Sequence, residues 1–249
     1  MKVSVVTVCF NSAATIRNCM ESVLSQQGID LDYVMIDGGS KDGTLEIIRS
    51  YGNRISTFIS EPDKGIYNAM NKGLRLAKGE IIAILNSDDY YAGPAVLSDV
   101  AEAFRLNPMI DIVYGDLEYV DAKSTDRVVR RWISSAFEPG SFKKGWHPPH
   151  PSFFVRRSVY ERFGLFDEEL RIAADYEFML RVMEKQRLNC LYLPGVKVKM
   201  RTGGASNHSL KNIWKANRES YLAFRKNGLR APVWLPLLKP VLKIRQFLA

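Results

Sequence analysis

"AILNSDDYY", residues 83–91, runs an apolar segment straight into two adjacent carboxylates, Asp88 and Asp89, with Asn86 just ahead of them. Neighbouring like charges repel, and carboxylates are seldom buried without partners. The apolar run reads as a buried strand, so the pair stands at a strand end. Two settings fit: a solvated acidic loop, or the rim of a sheet where a divalent cation such as Mg2+ or Mn2+ relieves the repulsion.

The same punctuation recurs upstream and downstream. "VSVVTV" (3–8) ends in the loop 9–12, and "YVMI" (33–36) ends at Asp37 and "GGSKDG". "ISTFIS" (55–60), "IIAIL" (81–85) and "DIVYG" (111–115) complete five strand candidates. Between them Ile16, Met20, Val23 and Leu24 keep the 3.6-residue period of a helix face. Further helices are expected over about 44–50, over 66–79 with Gly79 as the stop, and from Pro94 through "AVLSDVAEAF". Alternation in units of this size predicts an α/β, Rossmann-like, mostly parallel sheet covered on both faces, with ligands at the carboxyl ends of its strands. Asp37 and Asp88–Asp89 then share one rim.

The second half is less regular. Residues 120–145 read as polar strands and loops. "PSFFVRRSVYERFG" (151–164) reads as a short strand and a helix stopped by Gly164, and "AADYEFMLRVMEKQ" (173–186) as an amphipathic helix. "NCLYLP" and "VKVKMR" are two strand candidates, and residues 209–228 form a long helix capped by Gly228. No repeat or Gly/Ser-rich linker divides the chain.

Hydrophobic content of 46% and charged content of 25% over 249 residues suit a globular protein with a sizeable core. Three cysteines without metal-ligand spacing read as reduced thiols of a cytoplasmic protein. "MKVSVVTV" meets Asn11 too early to make a secretory signal. There is no G-x-G-x-x-G fingerprint and no G-x-x-x-x-G-K-[ST] phosphate loop. "DGGSKDGT" (37–44) is a glycine turn leading into a helix, and its Asp37 can also accept hydrogen bonds from a base or ribose.

"VTVCFN", "DGGSKDGT", "EPDKGIYNAMNKGLRLAKGE" and "LNSDD", in that order, resemble the family 2 inverting glycosyltransferases, whose fold is GT-A. The likeness resumes in "HPSFFVRRSVYERFGLFDEELRIAADYEFMLR", similar to bacterial polysaccharide-assembling members. The resemblance implies a single GT-A domain over 1–228, with a nucleotide-sugar half (1–115), an acceptor half (116–228) and a basic segment, 229–249. Val8, Phe10 and Asn11 would line the nucleotide pocket, Asp37 would bind the uracil or its equivalent, and Lys64 would sit at the rim. Asp88 would hold the ribose, Asp89 would ligate Mn2+ or Mg2+, and Asp175 would be the catalytic base. Ala174 stands where an acid commonly precedes the base, and Asn86 replaces an acid often seen before the metal ligand. The implied partners are a nucleotide-sugar donor, a UDP-sugar by this resemblance, and a glycan or lipid-linked acceptor. A sugar nucleotidyltransferase and a catalytically inactive nucleotide-sugar binder are the alternatives.

On residue type alone, Asp175 also fits a helix N-cap. His150, in "GWHPPHPSF", suits either the acceptor side or a loop, and Trp146 suits either sugar stacking or packing. Pro148 and Pro149 exclude helical spacing for His147 and His150, and no third metal ligand is evident. "RTGGAS" (201–206) reads as a phosphate-closing loop or an ordinary one.

The net charge of +8 is localised. Residues 197–249 hold 12 of the 35 Lys and Arg but only one of the 27 acids, Glu219. An even basic surface would have favoured nucleic acid; a basic end interleaved with Trp234, Leu235, Leu237, Leu238 and Phe247 favours either packing on the domain or a peripheral anchor on an anionic membrane. The anchor reading predicts that full-length protein pellets with anionic vesicles at low salt and that a variant lacking 231–249 stays in the supernatant. Equal pelleting of both would contradict it.

Overall fold

The computed structural model describes residues 1–203 and 210–232. Strand β1 (Lys2–Cys9) leads into helix α1 (Ile16–Leu24), and β2 (Asp30–Asp37) into α2 (Thr44–Arg49). After β3 (Thr57–Ser60) come α3 (Ile66–Leu76), β4 (Ile81–Asn86), the three-residue β5 (Asp89–Tyr91) and α4 (Val96–Leu106). The remainder is β6 (Ile112–Val120), β7 (Val128–Trp132), β8 (Phe153–Arg156), α5 (Arg157–Phe163), α6 (Ala174–Met179), β9 (Cys190–Arg201) and α7 (Leu210–Lys226).

One nine-stranded sheet carries them in the order β3-β2-β1-β4-β8-β6-β9-β5, with β7 paired to β6. Strands β3, β2, β1 and β4 are mutually parallel. Their register is what builds the rim: Cys9 pairs with Asp37, Asp37 with Ser60, and Val8 with Asn86. All four strands therefore end side by side, as the alternating pattern predicts.

Both faces of these strands are apolar. Val6, Val8, Ile82 and Ile84 enter one core cluster with Met70 and Leu74 of α3, Tyr160 of α5 and Phe224 of α7. Val3, Val5, Ile81, Ala83 and Leu85 enter the other with Met20 of α1, Ile48 of α2 and Phe104 of α4. The two-residue strand period thus splits one hydrophobic run between two helical layers.

Several expectations are corrected. The sheet is mostly parallel as expected over β3, β2, β1 and β4, and is mixed beyond β4, where β8 lies antiparallel between β4 and β6. "NCLYLP" and "VKVKMR" form the single strand β9, whose register against β6 slips where Pro194 and Gly195 interrupt it. The helix expected over 173–186 keeps α-geometry only to Met179 and continues as a wider π-turn to Lys185. Helix α3 stops at Leu76 rather than at Gly79, because Ala77 is extended. Gly79 is needed for another reason: a Cβ there would lie 2.4 Å from the backbone nitrogen of Ser4. Strand β5 escapes sequence reading because its pairing partner, β9, is over a hundred residues away. Residues 115 and 116 both lie in β6, and one sheet runs through the chain on either side of them. Gly228, with φ 69°, ends α7 as expected.

The seating of α3 on β1 rests on Gly73, where an added Cβ would come 2.3 Å from Cγ1 of Val6. Val6 is stiff, fully buried and in a central strand. Gly73→Ala gains helix propensity, up to about 1 kcal/mol, but overpacking of this kind costs about 1–3 kcal/mol. The expected net result is a lower urea midpoint with an unchanged m-value; a raised midpoint would show that α3 has room to move.

Candidate active site

Three loops meet at the rim. Asn11, at a positive φ of 50°, accepts from the Lys41 amide at its Oδ1 (2.9 Å) and donates its own amide to Ser40 Oγ (2.7 Å). The Ser12 amide donates to Thr44 Oγ1 at 2.8 Å, and Ser12 Oγ lies 2.8 Å from Ser87 Oγ. The ends of β1, β2 and β4 are therefore stitched together by short polar side chains. Phe10, 61% exposed, stands out from this platform, and Val8 is buried beneath it.

The aspartates that look alike in sequence differ in their surroundings. Asp37 is fully buried and saturated: Oδ2 accepts from the amides of Gly39 (2.9 Å) and Ser40 (3.0 Å) and from Ser60 Oγ (2.7 Å), and Oδ1 from the hydroxyl of Ser40. Burial pushes its pKa up, but the hydrogen bonds from Ser40, Ser60 and Gly39 outweigh it and hold the carboxyl below its ordinary value. A carboxylate so engaged holds the glycine turn in place. Asp63, which sequence reading passed over, stands close by. A Cβ on Gly38 would lie 2.5 Å from Asp63 Oδ2 and 3.4 Å from the Phe10 ring, so Asp63 and Phe10 converge above that glycine. The bare glycine between them was the available signal.

Asp89 is the opposite case. It is fully buried, yet its Oδ1 has no hydrogen-bond partner, and neither has the buried Oδ1 of Asn86. Burial first, and then the charge of Asp88, push the Asp89 carboxyl well above its ordinary pKa. Two orphaned hard oxygens beside one another fit a divalent cation, which would satisfy both and offset the desolvation. Asp88 is only half-buried. The turn that carries the pair is pinned by Arg201 at the end of β9, which donates to the carbonyl of Asp88 (2.5 Å) and to Asn18 Oδ1 (2.8 Å). Arg201 was legible only as part of a glycine-rich basic string.

Across the sheet, Asp175 lies in the first turn of α6 with its side chain 28% exposed. The Tyr67 hydroxyl is 2.9 Å from its Oδ1, and His150 Nδ1 is 3.9 Å from its Oδ2. Burial pushes the His150 pKa down against the opposing pull of Asp175, so the imidazole is neutral at pH 7. Asp175 is no N-cap: that place belongs to Ala173. The backbone before α6 is held instead by Glu219 of α7, whose Oε2 accepts from the amides of Ile172 (2.8 Å) and Ala173 (3.0 Å). The one acid of the basic C-terminal region thus has a definite task.

Other candidates are placed less decisively. Lys64 is exposed, and its carbonyl accepts from Arg171. Trp146 stacks on Phe137 (6.0 Å) and meets Tyr114 and Phe142 edge-on, so it packs into the aromatic core while staying half-buried. His147 meets Trp132 and Tyr176 edge-on. Thr202 and Gly203 end the described part of the 201–206 loop, and the apolar-basic stretch 233–249 lies outside the described residues. No described helix is long and apolar enough to cross a membrane.

The family model described as glycosyl transferase family 2 matches residues 4–164. The chain belongs to that family. This glycosyltransferase is 30% identical over 208 residues to a "PGL/p-HBAD biosynthesis glycosyltransferase" of Mycobacterium bovis, covering 82% of this chain and 78% of the relative. Its fold matches that of S. aureus TarS 1-349 in complex with UDP-GlcNAc, with a TM-score of 0.70, 19% identity and coverage of 100% of this chain and 72% of TarS. It also matches a mannosyltransferase of Pyrobaculum calidifontis in complex with GDP-Man and Mn2+, with a TM-score of 0.66, 20% identity and coverage of 99% and 69%. The GT-A architecture expected from the sequence motifs is the one found.

The orphaned Asp89 has a stability consequence. A carboxyl whose folded pKa lies above its unfolded one binds its proton more tightly in the native state, so stability falls as pH rises from the ordinary carboxylate value toward the raised one. In metal-free protein, Asp89→Asn should therefore raise the melting temperature, with a gain that grows as pH is taken from about 4 upward. Adding Mn2+ with UDP should stabilise the wild type and leave the variant unmoved. A variant less stable than metal-free wild type at pH 7 would mean that the donors around the carboxylate, Asn86 Nδ2 at 3.5 Å from Oδ2 included, already offset its burial.

Proposed function

We propose that this family 2 glycosyltransferase moves a sugar, with inversion, from a UDP-sugar to a hydroxyl of a glycan or lipid-linked saccharide in surface polysaccharide synthesis. The observation that carries the reading is electrostatic and geometric together. The Tyr119 phenol on β6, raised in pKa chiefly by burial, feels the charges of both Asp89 and Asp175. Asp89, buried with its Oδ1 unpartnered, and Asp175, part-exposed, thus both lie within electrostatic reach of one phenol, which supports their sharing a site.

On this reading Phe10 packs against the base, Asp63 accepts from it, and Asp88 holds the ribose. Asp89, with Asn86 beside it, holds Mn2+ or Mg2+; when bound, the cation supplies Lewis-acid neutralisation of the diphosphate. The acceptor hydroxyl gives its proton to Asp175 while its oxygen bonds to the anomeric carbon. The bond from that carbon to the diphosphate oxygen breaks, and its electron pair leaves with the nucleoside diphosphate. His150, neutral beside Asp175, borders the acceptor. The domain limits 1–228, and a peripheral contact of 229–249 with the inner face of an anionic membrane, belong to the same proposal; the clustering of basic residues after residue 196 supports the contact.

The test is Asp175→Asn assayed against a panel of nucleotide sugars. General-base catalysis is worth roughly 10²–10⁴ in rate, so kcat should fall by that factor while UDP-sugar affinity, read by calorimetry, is kept. Retained kcat with weakened donor binding would remove Asp175 from the chemistry.

A further inference from the structure

Tyr67 is buried on α3, in the nucleotide half, yet its hydroxyl is spent entirely on the acceptor half. It lies 2.9 Å from Asp175 Oδ1 and 2.8 Å from the carbonyl oxygen of Ile172. A phenol has one proton, and here two acceptors compete for it. Its ring is held independently, tilted against Phe166 at 5.7 Å.

We infer that Tyr67 is the positioning residue of the base: its hydroxyl fixes the Asp175 carboxylate and turns from Asp175 to the Ile172 carbonyl as that carboxylate takes up a proton. The inference rests on the proposed role of Asp175. Before transfer the charged Oδ1 is the better acceptor, so the phenol proton points to it and favours the ionised form. After transfer Asp175 carries a proton of its own. That proton can be donated to Tyr67 Oη while the phenol donates to Ile172 O, so one oxygen serves both protonation states. No proton leaves Tyr67 in the exchange; burial, and then the charge of Asp175, hold its pKa well above the ordinary phenol value, so it is not itself a base.

The groups facing Asp175 from the other elements leave this task to Tyr67. His150 Nδ1, at 3.9 Å, is beyond hydrogen-bond distance. Glu219 is engaged with the amides of Ile172 and Ala173, and Tyr119, which feels the charge of Asp175, has Arg130 stacked 3.6 Å over its ring. The arrangement also links the halves, because a shift of α3 displaces the base directly.

Tyr67→Phe keeps the ring and its packing and removes only the hydroxyl. In the full-length protein with Mn2+ and a UDP-sugar, its kcat should fall about tenfold or more while donor affinity is kept. The acid limb of the kcat–pH profile should move upward by roughly one pH unit, because the charged form of Asp175 has lost a donor. The double variant Tyr67→Phe/Asp175→Asn should be no slower than Asp175→Asn alone. If Asp175→Asn is inactive and Tyr67→Phe leaves the profile where it was, the inference fails and the base assignment stands. If Asp175→Asn keeps its activity, the base assignment itself fails. Circular dichroism and melting of Tyr67→Phe separate either result from loss of fold.

Discussion

A buried seam of hydrogen bonds between α3 and the loop 166–175 sets the relation between the two ends of the cleft. Asn71, almost wholly buried, donates to the carbonyl of Phe166 (3.0 Å) and to Glu168 (2.8 Å), and accepts from the Phe166 amide (3.0 Å). Asn68 donates to Glu168 at 2.8 Å, and Tyr67 completes the line at Asp175. Buried amides of this kind are costly to leave unpaired, so the seam has one register. Helix α3 is itself seated on β1 through Gly73, and β1 carries the rim. Asp175, the proposed base, and the rim carboxylates are thus tied to one another through a single helix.

The division of labour among the aspartates follows from their partners rather than from their type. Asp37 is surrounded by donors and spends its charge on a loop. Asp89 is surrounded by apolar strand and by another carboxylate, and keeps an unsatisfied oxygen. Asp175 has one firm hydrogen bond and a part-open face, which suits the proposed uptake and release of a proton. Helix α7 stabilises this last site from behind, where Glu219 holds the chain entering α6 and Lys226 bridges Asp167 and Glu169.

Much of the nucleotide half was legible. Strands β1, β2 and β4 are long apolar runs, and the helices between them keep a 3.6-residue period, so local pattern and final packing agree. The placement of β8 between β4 and β6, and of β5 against β9, was not legible, because sheet order beyond consecutive strands depends on long-range pairing that no local pattern encodes. At the site, Asp88, Asp89 and Asp175 stood out through strand ends and motif order. Tyr67 and Asn71 did not, since on α3 they read as ordinary helix positions. Glu219 was visible only as a lone acid in a basic segment, without a hint of the amides it accepts from. Asp37 shows the converse: the motif marked it, and its hydrogen bonds reveal a loop-holding part.

The central claim is that a single carboxylate, Asp175, deprotonates the acceptor for one direct displacement at the anomeric carbon. The most direct measurement is the anomeric configuration of the product by proton NMR. A nucleotide sugar α-linked at its diphosphate should give a β-glycoside, the outcome of one displacement from the opposite face. An α-glycoside would contradict the account, because it requires either two successive displacements or attack from the face that the leaving group occupies.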